Sequence, residues 1–387
     1  MPWGVFYPGD TLAGRANFGG GPQPVTSAAF GMSKFGAYNM AGNVAEWTMN
    51  DSSEGYLATG GAWADPTYTF AQYGGRPGVF ASSKLGFRLA QNAAGATGDQ
   101  GGSRIEIKQE IPEYTPTSVA RFTTLADGYR YDPAPLEARV EETVETPEWT
   151  RERITFNGAD GERAIAYLYL PRHVARPLQV VHYVPAGDVD SGLRSLTEAM
   201  DDRMAPFVKS GRAVFGVVLE GYIGRLEPPG TARPSATTVE YFERTLNRVT
   251  GLRRALDYLE TRPDIDRTRI GFLAPSAGAQ LGLILGAVEA RYRGIIMVGS
   301  GLPTGVAAVV AEANPLNFAP HIRAPKLMVQ GRYDEDTPLR TSAEPLFKLW
   351  SEPKRMFLYE GGHVPSNEIM MTATSGWLDE RFGRVVR

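Results

Sequence analysis

Ser276, Asp334 and His363 have the residue types, the chain order and the local settings of a nucleophile, an acid and a base. Ser276 lies in Ala274-Pro275-Ser276-Ala277-Gly278, with an apolar run before it (270–273) and a long apolar stretch after it (281–288). That pattern reads as strand, sharp turn, helix, an elbow that exposes a serine hydroxyl at the top of a sheet. Small residues flank the serine because strand and helix approach closely there. The usual pattern is Gly-x-Ser-x-Gly, and Ala274 replaces its first Gly. The pentapeptide alone also fits an ordinary small-residue turn, so its meaning depends on partners downstream.

His363 is the base candidate, in Tyr359-Glu360-Gly361-Gly362-His363-Val364-Pro365 after the last strand. The chain has 4 His. His173 lies in a Pro-flanked loop, His182 inside a strand where a core role is expected, and His321 ahead of the strand that leads to the acid. Two aspartates, Asp334 and Asp336, sit in Gly331-Arg332-Tyr333-Asp334-Glu335-Asp336-Thr337-Pro338 after the apolar run 326–330. The types work as a set. Serine is a weak nucleophile until an imidazole takes its proton, and a carboxylate fixes the imidazole's tautomer and stabilises its cation. Backbone N–H groups must hold the tetrahedral oxyanion. The N–H of Ala277 is one expected donor, and the turn after Val184 supplies the other, from Ala186 or Gly187. Tyr222, in the Gly/Pro-rich stretch 221–234, either reaches the substrate pocket or belongs to a surface loop.

The elements that must hold these side chains follow in sequence. Runs at 154–156 and 164–170 flank a Gly-bounded turn as a hairpin. Further strands are expected at 180–184, 213–219, 270–273, 294–298, 326–330 and 355–359, with a long amphipathic helix at 238–261. Apolar strands alternating with helices imply an α/β fold, a mainly parallel sheet with helices on both faces. Ser, then Asp, then His, each after a strand, is the α/β-hydrolase order. Such hydrolases place Gly-x-x-Asp-x-x-Val-Pro at the acid. That spacing selects Asp334 and leaves Asp336 as a helix cap or exposed charge, with Thr337-Pro338 standing for Val-Pro.

The opening of the chain is different. Much of the glycine (Gly 44 overall) lies in the first 102 residues, among aromatics in short runs, which predicts loop-rich structure with short strands. Phe35-Gly36-Ala37-Tyr38-Asn39-Met40-Ala41-Gly42-Asn43-Val44-Ala45-Glu46-Trp47 is followed by Gly60-Gly61-Ala62-Trp63 and then Gly86-Phe87-Arg88. Together with Pro2-Trp3-Gly4, these resemble the C-terminal part of the formylglycine-generating-enzyme (sulfatase-modifying factor) family. Oxidase members of that family use paired cysteines between the second and third motifs. This chain has Cys 0, so that activity is not expected. The resemblance also implies a structural calcium held by the side chains of Asn39 and Glu46 and the carbonyls of Gly42 and Val44. Oxygen ligands suit Ca²⁺. The other reading is that Asn39 and Glu46 only bond the loop backbone. Residues 1–92 are therefore expected to form a partial formylglycine-generating-enzyme-like module. Residues 93–118 form a linker, small, polar and Gly-rich at its start.

Residues 119–387 resemble the dienelactone-hydrolase/prolyl-oligopeptidase-like type of α/β-hydrolase. In particular they resemble the form fused behind a formylglycine-generating-enzyme-like module in bacterial serine/threonine kinases. The supporting stretches include Tyr131-Asp132-Pro133-Ala134-Pro135, Asp257-Tyr258-Leu259-Glu260-Thr261-Arg262-Pro263-Asp264, Asn317-Phe318-Ala319-Pro320 and Gly331-Arg332-Tyr333-Asp334. The chain itself carries no kinase signature.

Composition limits the partners. A net charge of −3 gives no reason to expect nucleic acid or an anionic membrane. Without cysteine, zinc-thiolate sites and a cysteine nucleophile are excluded. No apolar stretch is long enough for a transmembrane helix, and a cytoplasmic location is the expectation. The expected function is a serine carboxylesterase acting on small or aryl esters, with no cofactor for catalysis. The alternatives are a serine peptidase or amidase on the same residues, or a non-catalytic regulatory module. The N-terminal module is a candidate dimer contact.

Overall fold

The computed structural model describes residues 14–52, 55–65, 69–70, 73–90, 106–107, 110–187, 195–222, 225, 234–303 and 305–386. Pro2-Trp3-Gly4, most of the linker and the Gly/Pro stretch after Tyr222 lie outside them. The chain forms two compact units.

The first unit takes in the chain up to Ile111 and the later segment Tyr333–Pro338. Its strands are short: β1 Ala45–Ser52, β2 Gly55–Thr59, β3 Tyr73–Arg76, β4 Leu85–Gly86 and β5 Glu106–Ile107. They make one sheet in the order β3-β2-β1-β4, with β5 also pairing β1. Side-chain amides do much of the work that regular structure does elsewhere. Asn43 adopts φ 67°, a left-handed conformation Asn tolerates. Its Oδ1 accepts from Asn17 Nδ2 (3.0 Å) and from the Gln23 N–H (2.8 Å). That explains why the asparagine-rich motif segment has turn chemistry and no helical period.

The second unit covers most of the chain from Pro112 onward. Helix α1 Val119–Asp127 leads into β6 Arg139–Glu145, β7 Trp149–Asn157, β8 Arg163–Pro171 and β9 Leu178–Tyr183. Then come α2 Leu196–Arg203, α3 Ala205–Lys209, β10 Ala213–Val217, α4 Val239–Thr261, β11 Ile265–Pro275, α5 Ala277–Val288 and β12 Gly294–Val298. The unit closes with β13 Lys326–Gly331, α6 Glu344–Leu349, β14 Lys354–Tyr359 and α7 Asn367–Phe382. The nine strands lie in the order β14-β13-β12-β11-β9-β10-β8-β7-β6. Pairing is parallel from β10 through β9 to β14 and antiparallel from β10 to β6.

The period of two in a strand sorts the apolar runs onto two faces. Val180, Phe272, Ile295 and Met328 pack with Leu252, Leu283 and Trp350 from α4, α5 and the residue after α6. Their sequence neighbours Val181, Leu273, Ile296 and Val329 pack with Met200, Phe207 and Trp377 from α2, α3 and α7. Both faces are covered, which is why these strands read as continuous apolar runs. Helix α4 starts where its cap predicts, with Thr238 Oγ1 accepting from the Tyr241 N–H at 3.3 Å. One difference from the sequence reading is β6. The acidic composition of 137–148 by itself implies a mostly solvated stretch, but 139–145 form the outermost strand, largely exposed. Charge on an edge strand discourages pairing with other chains, so composition alone does not reveal the strand. No described helix is long and apolar enough to cross a membrane.

Candidate active site

The elbow is built from the end of β11 and the start of α5. Ser276 sits between them at φ 51°, ψ −118°, a backbone conformation that L-residues rarely adopt. It is fixed from both sides: its N–H donates to the Val298 carbonyl at 2.8 Å, and its carbonyl accepts from the Gln280 N–H at 3.1 Å. Gly278 explains the demand for small residues. A Cβ there would lie 2.5 Å from the Pro185 carbonyl oxygen and 2.7 Å from that of Val184, closer than any side chain tolerates. Ala274 is fully buried in the core at the end of β11. The fold therefore accommodates the Ala that departs from the usual pattern.

His363 lies in the loop between β14 and α7. Its Nε2 is 2.8 Å from Ser276 Oγ, within reach for proton transfer. The loop is tied to the end of β13: the Arg332 N–H donates to the Tyr359 carbonyl at 2.9 Å, and the Tyr359 hydroxyl donates to the Gly362 carbonyl. The imidazole also fits against Gly299 (φ 54°), the residue after β12. A Cβ on Gly299 would lie 2.8 Å from His363 Cε1 and 2.9 Å from Nδ1. The sequence reading did not single out Gly299, though Val298-Gly299-Ser300-Gly301 after a strand marks a close approach of backbone to something.

The other three histidines are engaged elsewhere. His182 is fully buried, with Nδ1 2.8 Å from the Tyr292 hydroxyl. Burial, with the nearby Arg291 charge, pushes its pKa down to about 3. The His321 ring stacks on Phe122 at 4.2 Å and its Nε2 lies 2.9 Å from the Thr117 carbonyl oxygen. His173 is exposed, with Nε2 3.2 Å from the Pro147 carbonyl oxygen.

The turn after β9 lies against the start of α5. A Cβ on Gly187 would be 3.0 Å from the Ala277 Cβ, and Gly187 forms a backbone bridge with Tyr222. As the first residue of α5, Ala277 has an N–H with no acceptor inside the helix. The structure therefore brings Ser276, His363, Ala277, Gly187 and Tyr222 together, with Ala186 in the same turn. Tyr222 is buried, and its hydroxyl donates to the Ala277 carbonyl at 3.2 Å. The Arg248 guanidinium lies over its ring at 5.0 Å. Burial raises the Tyr222 pKa, so the phenol stays protonated and works as a brace for the elbow. Arg248 is a contact the sequence reading missed, because it comes from the middle of α4, far along the chain.

Asp334 lies three residues past β13, in the segment Tyr333–Pro338 of the first unit. Only 3% of it is exposed. Oδ1 accepts from the N–H groups of Asp336 (2.9 Å) and Thr337 (2.8 Å), and Oδ2 accepts from the Thr337 hydroxyl at 2.8 Å. Charge-assisted bonds of this kind offset the burial of a carboxylate. They also show what Thr337 does in place of the usual Val: its hydroxyl fixes the rotation of the acid. Asp336 contributes its backbone N–H to the same carboxylate.

In the N-terminal module, Asn39 adopts φ 50° and its amide donates to the carbonyls of Pro24 and Val25 at 3.2 and 3.1 Å. Its Oδ1 is buried without a hydrogen-bond partner, which fits a cation ligand. Glu46 is held by Arg88 through both carboxylate oxygens, each at 2.6 Å, so two of the sequence motifs meet in one ion pair. Glu46 keeps lone pairs for a cation, and the four expected ligands fit calcium only if Glu46 is shared with Arg88. Among the described residues no group of three or more acidic or histidine side chains forms a metal cluster.

Comparison with known proteins agrees with this architecture. Residues 7–93 match the family described as "Sulfatase-modifying factor enzyme 1-like domain". No curated protein matches the sequence. Among solved structures, an acetyl xylan esterase from a Paenibacillus species is similar with a TM-score of 0.54 at 19% identity, over 71% of this chain and 97% of that one. A glucuronoyl esterase from Solibacter usitatus aligns with a TM-score of 0.51 at 15% identity, over 71% of this chain and 100% of that one. An acetyl xylan esterase from a Thermoanaerobacterium species aligns with a TM-score of 0.50 at 17% identity, covering 70% and 96%. At these identities the likeness defines the fold: the chain carries an α/β-hydrolase fold together with a sulfatase-modifying-factor-like N-terminal module.

Proposed function

We propose that the protein is a serine carboxylesterase. The observation that carries this reading is Ser276 Oγ, 2.8 Å from His363 Nε2, on a residue held at φ 51° at the strand–helix junction. His363 takes the hydroxyl proton as Oγ bonds to the ester carbonyl carbon, and the N–H of Ala277 with that of Ala186 or Gly187 receives the oxyanion. The imidazolium then gives its proton to the leaving alkoxide as the C–O bond breaks. Water, deprotonated by His363, releases the acid from the acyl-enzyme in the second half. Asp334 is the residue assigned to orient His363. It is assigned on its chain position, its burial and its fixed carboxylate.

Esters with small acyl groups are the proposed substrates. The similar folds named above include two acetyl xylan esterases, and the turn around Gly187 and Tyr222 leaves small residues next to the elbow. No organic cofactor enters the mechanism. The N-terminal calcium remains a proposal, with Asn39 Oδ1, the carbonyls of Gly42 and Val44, and a Glu46 carboxylate shared with Arg88 as its ligands. Its role there is structural.

The test is hydrolysis of p-nitrophenyl esters from acetate to laurate by the full chain and by Ser276→Ala. The expected result is turnover that is greatest for the shorter acyl chains and absent from the variant. Folded wild-type protein without turnover on any ester would refute the esterase reading and turn attention to peptide bonds.

A further inference from the structure

Ser276 and His363 both touch one short segment, the Val298-Gly299-Ser300-Gly301-Leu302 stretch that leaves β12. The Ser276 N–H donates to the Val298 carbonyl at 2.8 Å, and Gly299 faces the His363 ring. Two glycines in three residues leave this backbone with little conformational preference of its own, so its course is set by what it is tied to. The Gly299 N–H donates to the Val329 carbonyl at 2.9 Å. At the far end, the Leu302 N–H donates to the Ser342 carbonyl at 3.2 Å, and the Ser342 hydroxyl donates to the Leu302 carbonyl at 2.8 Å. Between these ties stands Gln280, the fourth residue of α5. Its Nε2 donates to the Gly301 carbonyl at 2.6 Å. All of these residues belong to the second unit.

The other end of the Gln280 amide is not satisfied: Oε1 is buried with no hydrogen-bond partner. A buried acceptor left unpaired costs stability, so an amide is not what packing alone asks for here. What the amide supplies is the Nε2 bond. The Gln280 N–H also donates to the Ser276 carbonyl, at 3.1 Å. One residue therefore joins the turn that carries the nucleophile to the segment that lies against the base. We propose that Gln280 is a positioning residue for His363: by holding Gly301 it fixes Gly299, two residues away, at the height where the imidazole meets Ser276. The proposal rests on the serine-hydrolase reading.

The experiment uses the full-length chain. Its readouts are kcat and KM on p-nitrophenyl acetate, the rate at which a fluorophosphonate labels Ser276, and thermal unfolding. Labelled sites are counted, so that activity is expressed per competent site. Gln280→Met keeps an unbranched side chain of similar length without the donor. It is expected to lower kcat and the labelling rate about tenfold with KM little changed, short of the roughly 10²-fold loss that a misplacement of about 1 Å produces. Its unfolding temperature is expected to stay within about 3 °C of wild type. Gln280→Glu sets an acceptor-only carboxylate against the Gly301 carbonyl and should lose at least as much rate. Epistasis separates positioning from a general loss. If Gln280 acts through the base, adding Gln280→Met to His363→Ala slows labelling no further. Wild-type kcat in Gln280→Met, a tenfold loss repeated in the His363→Ala background, or a loss accounted for by fewer competent sites and earlier unfolding would each overturn the proposal. Folded wild-type protein with neither turnover nor labelling would instead overturn the serine-hydrolase reading beneath it.

Discussion

Gly299→Ala tests the site most sharply, because its effect follows from two distances and one dihedral. The new Cβ would lie 2.8 Å from His363 Cε1 and 2.9 Å from Nδ1. Carbon contacts settle near 3.5–4.0 Å, so the ring must withdraw by roughly 0.7–1 Å. The bond from Nε2 to Ser276 Oγ, 2.8 Å in the native protein, then stretches to about 3.5 Å, the outer limit of a hydrogen bond. A misplacement of that size costs about 10²-fold in rate, equivalent to about 2.7 kcal/mol of barrier. A second cost is backbone strain, about 1–2 kcal/mol for a side chain at a left-handed position, since Gly299 has φ 54°. Gly305→Ala is the control. It has φ 74° with nothing within 4 Å of the new Cβ, so it carries the strain without the contact. The assay is kcat/KM on p-nitrophenyl acetate, beside thermal unfolding of both variants. Both should unfold a few degrees lower, and only Gly299→Ala should lose activity. Equal activity in the two variants would refute the placement of His363 against Gly299.

Two further outcomes follow from groups outside the catalytic steps. His182 has its pKa lowered from 6.5 to about 3 by burial. Between those values only the unfolded chain binds the proton, so this contribution to stability is complete above about pH 6.5 and is lost as pH falls toward 3. By linkage the loss amounts to about 2 kcal/mol at about pH 5. Urea unfolding near neutrality and near pH 5 should show a smaller pH dependence in His182→Phe by that amount, and an unchanged dependence would refute the assignment. For calcium, adding the ion after chelation should raise the unfolding temperature by about 4 °C at saturation, and Asn39→Ala should abolish the shift. Identical melting with calcium and with EDTA would exclude the ion.

What the sequence disclosed is set by the range of the forces involved. Strands β9 to β13 were visible because their apolar stretches are buried on both faces and so leave nearly unbroken apolar runs. Helix α4 was visible because its period and its Thr238 cap are both local. The elbow was visible because Gly278 cannot change without a clash against the turn after β9, which forces a small residue into a fixed pattern. Strand β6 was hidden because its exposed edge position permits charge. Gly299 and Arg248 were hidden for another reason. Each acts on a residue distant in sequence, and nothing in a single chain marks a glycine as the floor beneath an imidazole or an arginine as the cover of a buried tyrosine ring.

Ala274 illustrates how a departure from a motif should be weighed. The two small positions of the elbow are not equivalent here. Gly278 faces the backbone of the preceding turn, with carbonyl oxygens 2.5 and 2.7 Å from where a Cβ would stand, and backbone cannot yield cheaply. Ala274, next to last in its strand, is fully buried within the apolar cluster, where a methyl group fills space and adds about 0.8 kcal/mol of favourable burial. The substitution thus falls at the position where this fold rewards a side chain, and the strained serine backbone is retained. The missing glycine therefore does not count against a working nucleophile.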